Sequence, residues 1–163
     1  ANLGRIRSCI AHEITHCFHN NGAQYDEQGR QRNWWQPSDY AEFKARQEKV
    51  AAYYSRFILA NGTRIKGEQT LSEDIADLGA LSCITEIVGH NPEKLRQVYE
   101  NFGILWRDKE TDRFLHFMLT DIYSLPYIRT DAVLSSTDGF YEAYPVAPGD
   151  PMYVAPEDRV HLW

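Results

Sequence analysis

Residues 12 to 16 read His12-Glu13-Ile14-Thr15-His16 and match the pattern H-E-x-x-H. On a helix, positions i and i+4 lie about one turn apart on the same face. Both imidazoles can then reach a single metal ion while Glu13 points at its open side. For a chain of 163 residues with six histidines, chance gives roughly 0.016 matches of this kind. The pattern therefore predicts a zinc-binding helix of the type used to hydrolyse peptides.

A catalytic zinc ion usually has three protein ligands, so a third ligand is needed beside the two histidines. The best candidate is Glu73, in the segment Glu73-Asp74-Ile75-Ala76-Asp77. The i, i+4 spacing puts Glu73 and Asp77 on one helical face, where Glu73 can ligate the metal and Asp77 can accept the free ring N–H of a ligand histidine. The alternative is a solvated acidic helix start in which Thr70 and Glu73 form a capping box.

The amino-acid composition limits which classes of protein this chain can belong to. A hydrophobic content of 43% over 163 residues predicts a single domain, residues 1–163, with a core of its own. The net charge of −6 is unfavourable for nucleic acid, and no apolar run approaches the ~18 residues of a membrane-spanning helix. The chain as given is expected to be soluble, cytoplasmic or secreted. Its three cysteines include no C-x-x-C pair, which favours free thiols over a disulfide framework or a cysteine metal site.

Apolar spacing and turn residues predict a mainly helical chain. The first helix should end before Asn20-Asn21-Gly22, where Asn or Gly supplies a left-handed residue. After residue 131 we expect mostly irregular structure with one helical turn near residues 140–144, because four prolines follow closely. The predicted helices are residues 5–18, a second from Pro37 to the Asn61-Gly62 turn, a third from residues 70–72 to 87, a fourth capped by Asn91 with Pro92 at its first position, and a buried helix within 114–123.

These residues and their surroundings resemble the neprilysin-like zinc endopeptidases, the family of neprilysin, endothelin-converting enzyme and bacterial oligopeptidases. The resemblance covers nearly the whole chain in the correct order. The segments that carry it are Ile10-Ala11-His12-Glu13-Ile14-Thr15-His16-Cys17-Phe18, the pair Trp34-Trp35, Thr70-Leu71-Ser72-Glu73-Asp74-Ile75-Ala76-Asp77-Leu78-Gly79, Gly149-Asp150-Pro151-Met152-Tyr153, and Pro156-Glu157-Asp158-Arg159-Val160-His161-Leu162-Trp163.

The resemblance implies that His12, His16 and Glu73 bind one zinc ion, that Glu13 is the general base and acid, and that Asp77 orients a ligand histidine, His12. It also implies a zincin-like, thermolysin-type helical catalytic subdomain with little or no sheet of its own. The expected activity is hydrolysis of oligopeptides, with peptide substrates and no nucleic acid as partners.

The chain departs from the family pattern in two regions. The large helical region and the Asn-Ala-aromatic substrate strand that precede the zinc helix in the family are not in the sequence, so an amino-terminal part of the same protein is an expected partner. After Asp131 the family continues with a His-x-Pro segment and an arginine, whereas Ala132-Val133 follows here. Either several residues are deleted, or the sequence omits a stretch between Asp131 and Val133. A true deletion would leave the zinc site and remove oxyanion donors, which typically costs about 10² to 10³ in rate.

Two alternatives remain at the level of sequence. One is a catalytically impaired zinc-binding fragment or paralogue that binds peptides or another protein, and the other is a zinc-free helical domain. Among the other candidate groups, His19 is expected to be an exposed loop residue rather than a further ligand. For Arg129, a salt bridge with Asp131 or another acid is favoured over neutralisation of a substrate carboxylate.

Overall fold

The computed structural model describes residues 2–59 and 61–162, so Ala1, Ala60 and Trp163 lie outside it, including the last residue of the carboxyl-terminal motif. A π-helical turn at Leu3–Arg7 leads directly into α1. The described residues form seven α-helices: α1 (Ser8–Thr15), α2 (Pro37–Tyr54), α3 (Gly67–Val88), α4 (Pro92–Leu105), α5 (Asp112–Met118), α6 (Pro126–Ser135) and α7 (Asp138–Ala143). Over the described residues, β-structure is limited to the isolated bridges Tyr25–Gln31 and Ile58–Arg64. The mainly helical prediction is confirmed.

The long helix α3 is the centre of the fold. It contacts α1, α2, α4 and α6, and buried residues occur on all of its faces from Thr70 to Ile84. A helix surrounded in this way is expected to lack a single apolar stripe, since every face is covered. Three of its buried residues, Glu73, Asp74 and Asp77, carry carboxyl groups, so the surrounding elements must supply groups that compensate them.

The first predicted helix forms as one continuous segment, with a 3-10 turn at His16–Phe18 after α1. It ends for a different reason from the one expected. His19 adopts an extended backbone, and its Nδ1 accepts hydrogen bonds from the backbone N–H groups of Asn21 and Gly22 at 2.9 and 3.1 Å. Neither Asn21 nor Gly22 is left-handed. A side-chain cap on the outgoing backbone therefore stops the helix.

Three other element predictions need correction. The second helix ends at Tyr54 and not at the Asn61-Gly62 turn, and α3 begins at Gly67, before Thr70. Thr70 is therefore inside the helix, and its hydroxyl donates to Asp74 Oδ2 at 2.7 Å instead of forming a capping box.

The carboxyl-terminal third is more helical than predicted. Pro126 is the first residue of α6, a position where the backbone N–H has no partner within the helix, so proline is tolerated there. The helix continues through Asp131 and Ala132 to Ser135, where irregular structure was predicted. The expected buried helix at 114–123 is shorter and lies on the surface, since α5 has no buried residue and Phe117 is 60% exposed. Apolar composition alone did not distinguish a surface helix from a core helix. No helix of the described residues is long and apolar enough to cross a membrane.

Close approach of α1 and α3 depends on Gly79. A Cβ atom added at this position would lie 2.5 Å from Thr15 Cγ2 and 2.9 Å from Thr15 Oγ1. Thr15 is buried, and its hydroxyl donates to the carbonyl of Ala11 at 2.7 Å, so it has little freedom to move away. Glycine thus allows the crossing that brings His12 to α3.

We predict that Gly79→Ala lowers the free energy of unfolding by about 1 to 3 kcal/mol, because the added methyl overpacks the crossing. The matched control is Gly103→Ala in α4, where the new Cβ meets only Thr130 Cγ2 at 3.6 Å. That change should stabilise the protein by about 0.5 to 1 kcal/mol through helix propensity. Urea unfolding of both variants measures the difference, and equal effects would contradict the role given to Gly79.

Candidate metal centre

His12 projects from α1 onto two carboxylates of α3. Its Nδ1 lies 2.7 Å from Asp77 Oδ1, and its Nε2 lies 3.2 Å from Glu73 Oε2. All three residues are buried, with exposed fractions of 8% for His12, 6% for Glu73 and 2% for Asp77. Glu73 and Asp77, which are four residues apart on α3, therefore each contact one nitrogen of the His12 ring.

His16 and Glu13 complete the group. His16 Nε2 lies 3.7 Å from Glu73 Oε1, and the His16 ring meets the His12 ring edge-on at 4.6 Å between centroids. Potential ligand atoms of His12, Glu13 and His16 lie within 4.8 Å of one another, and Glu13 is solvent-exposed. By distance alone Glu13 could also approach an ion, but its carboxylate faces solvent whereas that of Glu73 is enclosed between the two rings.

The donor set fits a zinc ion. Two imidazole nitrogens and a carboxylate oxygen are the ligands of many catalytic zinc sites. Each imidazole lies near one oxygen of the Glu73 carboxylate, His12 Nε2 at 3.2 Å from Oε2 and His16 Nε2 at 3.7 Å from Oε1, so the three side chains are close enough to share one ion. Asp77 on His12 Nδ1 supplies the acceptor that fixes the imidazole tautomer in such sites.

Without a metal, the two acids hold a proton on His12. Burial alone lowers the pKa of His12, but hydrogen bonds to Asp77 and Glu73 outweigh burial and raise that pKa from 6.5 to about 9. The protonated ring donates to a carboxylate from each nitrogen. The contact between His12 Nε2 and Glu73 is thus a charge-assisted hydrogen bond.

Arg129 joins the centre from α6. Its Nε donates to Asp77 Oδ2 at 2.6 Å, and its Nη2 donates to Asp77 Oδ1 at 2.9 Å. The expected salt bridge with an acid is confirmed, and the acid is Asp77 rather than Asp131. The guanidinium lies 3.6 Å above the centroid of the Trp106 ring and 5.3 Å from that of Tyr123.

A cavity of about 270 Å³ borders His12, Glu13, Arg129, Trp106 and Tyr123. Sequence reasoning did not find Trp106 or Tyr123, since a lone aromatic in a polar segment has no pattern that ties it to a distant motif. His19 is half-buried and not fully exposed as expected. Its ring lies 4.7 Å from that of His16, and burial followed by the His16 charge lowers the His19 pKa.

Comparison with known proteins identifies the family. The sequence model described as peptidase family M13 matches residues 1–160. The chain belongs to peptidase family M13. The neutral endopeptidase of Lactobacillus helveticus is 32% identical over 164 residues, which cover 100% of this chain and 25% of that protein. Endothelin-converting enzyme 1 of Cavia porcellus is 29% identical over 99% of this chain and 23% of its own length. The neprilysin-like resemblance is therefore confirmed.

Solved structures of M13 peptidases share the fold. The crystal structure of PepO from Lactobacillus rhamnosis HN001 matches with a TM-score of 0.91 and 30% identity over 98% of this chain and 26% of that chain. The zinc metalloprotease Zmp1 of Mycobacterium tuberculosis, in complex with an inhibitor, matches with a TM-score of 0.90 and 28% identity over 98% of this chain and 27% of that chain. The helical subdomain expected from the sequence is thus the M13 catalytic fold. The chain spans about a quarter of the length of the curated relatives it matches.

The pKa of His12 predicts a pH dependence in chelator-treated protein. Because the folded pKa of about 9 exceeds the ordinary value of 6.5, protonated His12 stabilises the fold fully below pH 6.5. That contribution is lost progressively as pH rises through about 9. We expect the urea midpoint of the metal-free protein to fall over this range.

His12→Gln should remove most of this decrease, whereas His90→Gln should retain it, since His90 is exposed and pairs only with Glu142 on the surface. The measurement is the urea midpoint of each protein at three pH values between 6 and 9.5. Equal slopes in wild type and His12→Gln would contradict the assignment.

Proposed function

We propose that this chain is the carboxyl-terminal catalytic portion of a zinc-dependent endopeptidase that hydrolyses oligopeptides. The observation that carries the proposal is the convergence of His12, His16 and Glu73, with Asp77 behind His12. Family M13 membership and the endopeptidase names of the relatives support the reaction class. Residues 1–163 are proposed to form one domain, consistent with a single cluster of buried apolar side chains.

In this proposal His12, His16 and Glu73 hold one zinc ion per chain. When bound, zinc supplies a Lewis acid that activates water and polarises a carbonyl group. Asp77 keeps the proton on His12 Nδ1 and so directs Nε2 towards the ion. His12 Nε2 would have to release its proton before it could bind a cation, so the affinity for zinc is expected to depend on pH.

Glu13 is proposed as the general base and acid. It lies on the solvent side of the two histidines and borders the 270 Å³ cavity, where a peptide carbonyl can approach. From there its carboxylate can take a proton from water and return it to the leaving amine. Its exposure suits this role, because the group must reach both water and substrate.

Substitution of the two glutamates separates metal binding from catalysis. Glu13→Gln should retain one equivalent of zinc and lower the peptide hydrolysis rate by about 10² to 10⁴-fold, as expected for loss of a general base. Glu73→Gln should weaken zinc binding by more than the roughly 10- to 100-fold typical of changes behind a ligand. Zinc content by atomic emission and cleavage of a quenched fluorescent peptide measure the two effects.

Glu68→Gln is the matched control, since Glu68 is an exposed glutamate on the same helix as Glu73. It should bind zinc and cleave as the wild type does. Wild-type turnover in Glu13→Gln would refute the role of Glu13, and zinc well below one equivalent in the wild-type protein would refute the metal site.

A second function is favoured by one observation, the continuity of α6 through Asp131 and Ala132 where the family has its His-x-Pro segment. A chain without those oxyanion donors would keep zinc and bind peptides with little turnover. The same peptide assay distinguishes the two functions, because a binding module would hold the peptide in a zinc-dependent manner without cleaving it.

The proposed protein partner is the amino-terminal part of the same protein. Ile6, Ile10 and Ile14 lie at four-residue intervals on the first helical segment, on the side away from His12, and more than half of each is exposed. An apolar stripe of this kind is typical of a surface that another segment covers.

We predict that Ile10→Asp with Ile14→Asp leaves folding and zinc binding of this chain intact. The same pair should abolish association with the region encoded ahead of residue 1 when that region is expressed separately. Analytical ultracentrifugation measures the association, and unchanged binding by the double variant would exclude this surface.

A further inference from the structure

Arg129 binds the carboxylate that supports the proposed metal ligand His12. The two hydrogen bonds from Nε and Nη2 engage both oxygens of Asp77 side by side, the geometry in which guanidinium and carboxylate planes align. Arg129 is itself buried, with 6% of its surface exposed. The pair therefore has a fixed orientation and little competition from water.

Asp77 Oδ1 connects the arginine to the histidine. It accepts from Arg129 Nη2 at 2.9 Å and lies 2.7 Å from His12 Nδ1. The carboxylate of an aspartate can rotate about the Cβ–Cγ bond unless hydrogen-bond donors hold its oxygens. Because Arg129 takes both oxygens, the direction in which Oδ1 faces His12 is set from α6.

The aromatic side chains of Trp106 and Tyr123 hold the guanidinium in place. Its carbon lies 3.6 Å from the Trp106 centroid, within the distance of a cation–π contact, and 5.3 Å from the Tyr123 centroid. A flat cation stacked on a ring and paired with a carboxylate has few other arrangements. Lysine cannot reproduce this, since it lacks the planar fork.

We propose that Arg129 is a positioning residue of the metal centre, which aligns the Asp77 carboxylate on His12 Nδ1 and thereby raises the affinity for zinc. The proposal rests on the proposed function, because it concerns the same site. Loss of the guanidinium removes two of the hydrogen bonds that hold the buried Asp77 carboxylate and leaves the contact with His12 Nδ1, so the carboxylate can turn away from its present orientation on His12. The imidazole then loses the partner that fixes its tautomer.

A purely structural salt bridge between α3 and α6 is the competing explanation, and Arg159 provides the matched control. Its Nη1 donates to Asp138 at 2.6 Å, and its guanidinium lies 3.6 Å above the centroid of Tyr141. It is thus also an arginine paired with an aspartate and stacked on an aromatic ring. None of these three residues borders the cavity beside His12.

The test is the zinc affinity of Arg129→Ala, Arg129→Lys and Arg159→Ala, measured by competition with a chromophoric chelator. Arg129→Ala should bind zinc about 10- to 100-fold more weakly than wild type, the range typical of residues behind a metal ligand. Arg129→Lys should recover part of the loss, because it restores the charge without the fork. Arg159→Ala should lower the melting temperature without changing zinc affinity by more than about twofold, since it does not touch the group behind His12.

A double-variant cycle with Asp77→Ala tests the route of the effect. If Arg129 acts through Asp77, then Arg129→Ala adds little to the loss of affinity caused by Asp77→Ala. Independent, additive losses would overturn the proposal, as would wild-type zinc affinity in Arg129→Ala. If Arg129→Ala does not fold, the test rests on Arg129→Lys. Full wild-type zinc affinity in Arg129→Lys would show that the planar guanidinium is not needed to align Asp77, and would overturn the proposal.

The outcomes also separate this proposal from the proposed function. If the wild-type chain binds no zinc, both fail. If the wild type binds one equivalent and the Arg129 variants bind it equally well, the metal site stands and only the role of Arg129 is wrong.

Discussion

The crossing of α1 with α3 brings together groups that are 61 and 65 positions apart in the sequence, His12 with Glu73 and His12 with Asp77. Gly79 makes the crossing close enough, because its missing side chain leaves room for Thr15. Everything at the metal centre depends on this contact. A separation larger by one methyl group would move the imidazoles of α1 away from the carboxylates of α3.

Buried charge determines how the rest of the site is arranged. Three carboxyl groups of α3 are nearly inaccessible to solvent, and buried carboxylates are unstable unless cations or hydrogen bonds compensate them. The hydroxyls of Thr70 and Ser124 donate to Asp74. Arg129 compensates Asp77, and in the metal-free protein the proton on His12 compensates Glu73. A divalent cation can replace that proton. The proposed metal site therefore relies on the same balance of buried charge.

The chain retains the M13 catalytic fold while spanning about a quarter of the length of its relatives. The proposed zinc ligands and the residues behind them lie on α1, the turn that follows it, α3 and α6. The residues of the proposed metal centre are therefore supplied by a few helices. Elsewhere on the surface, Ile10 and Ile14 on α1 and Phe114 and Phe117 on α5 are exposed.

Local sequence patterns predicted several helices of this protein and the residues of its candidate metal site. The H-E-x-x-H spacing, the Glu73 and Asp77 pair, and Asn91 with Pro92 were readable because helical periodicity and capping are short-range properties. Sequence patterns gave wrong predictions where packing against neighbouring elements determines the structure. The helix α5 lies on the surface and not in the core, and α6 continues past Asp131. The chain alone indicated which residues could bind a metal. Only the tertiary structure decided that Arg129 pairs with Asp77 above Trp106, because side chains so far apart in sequence meet through packing of whole helices.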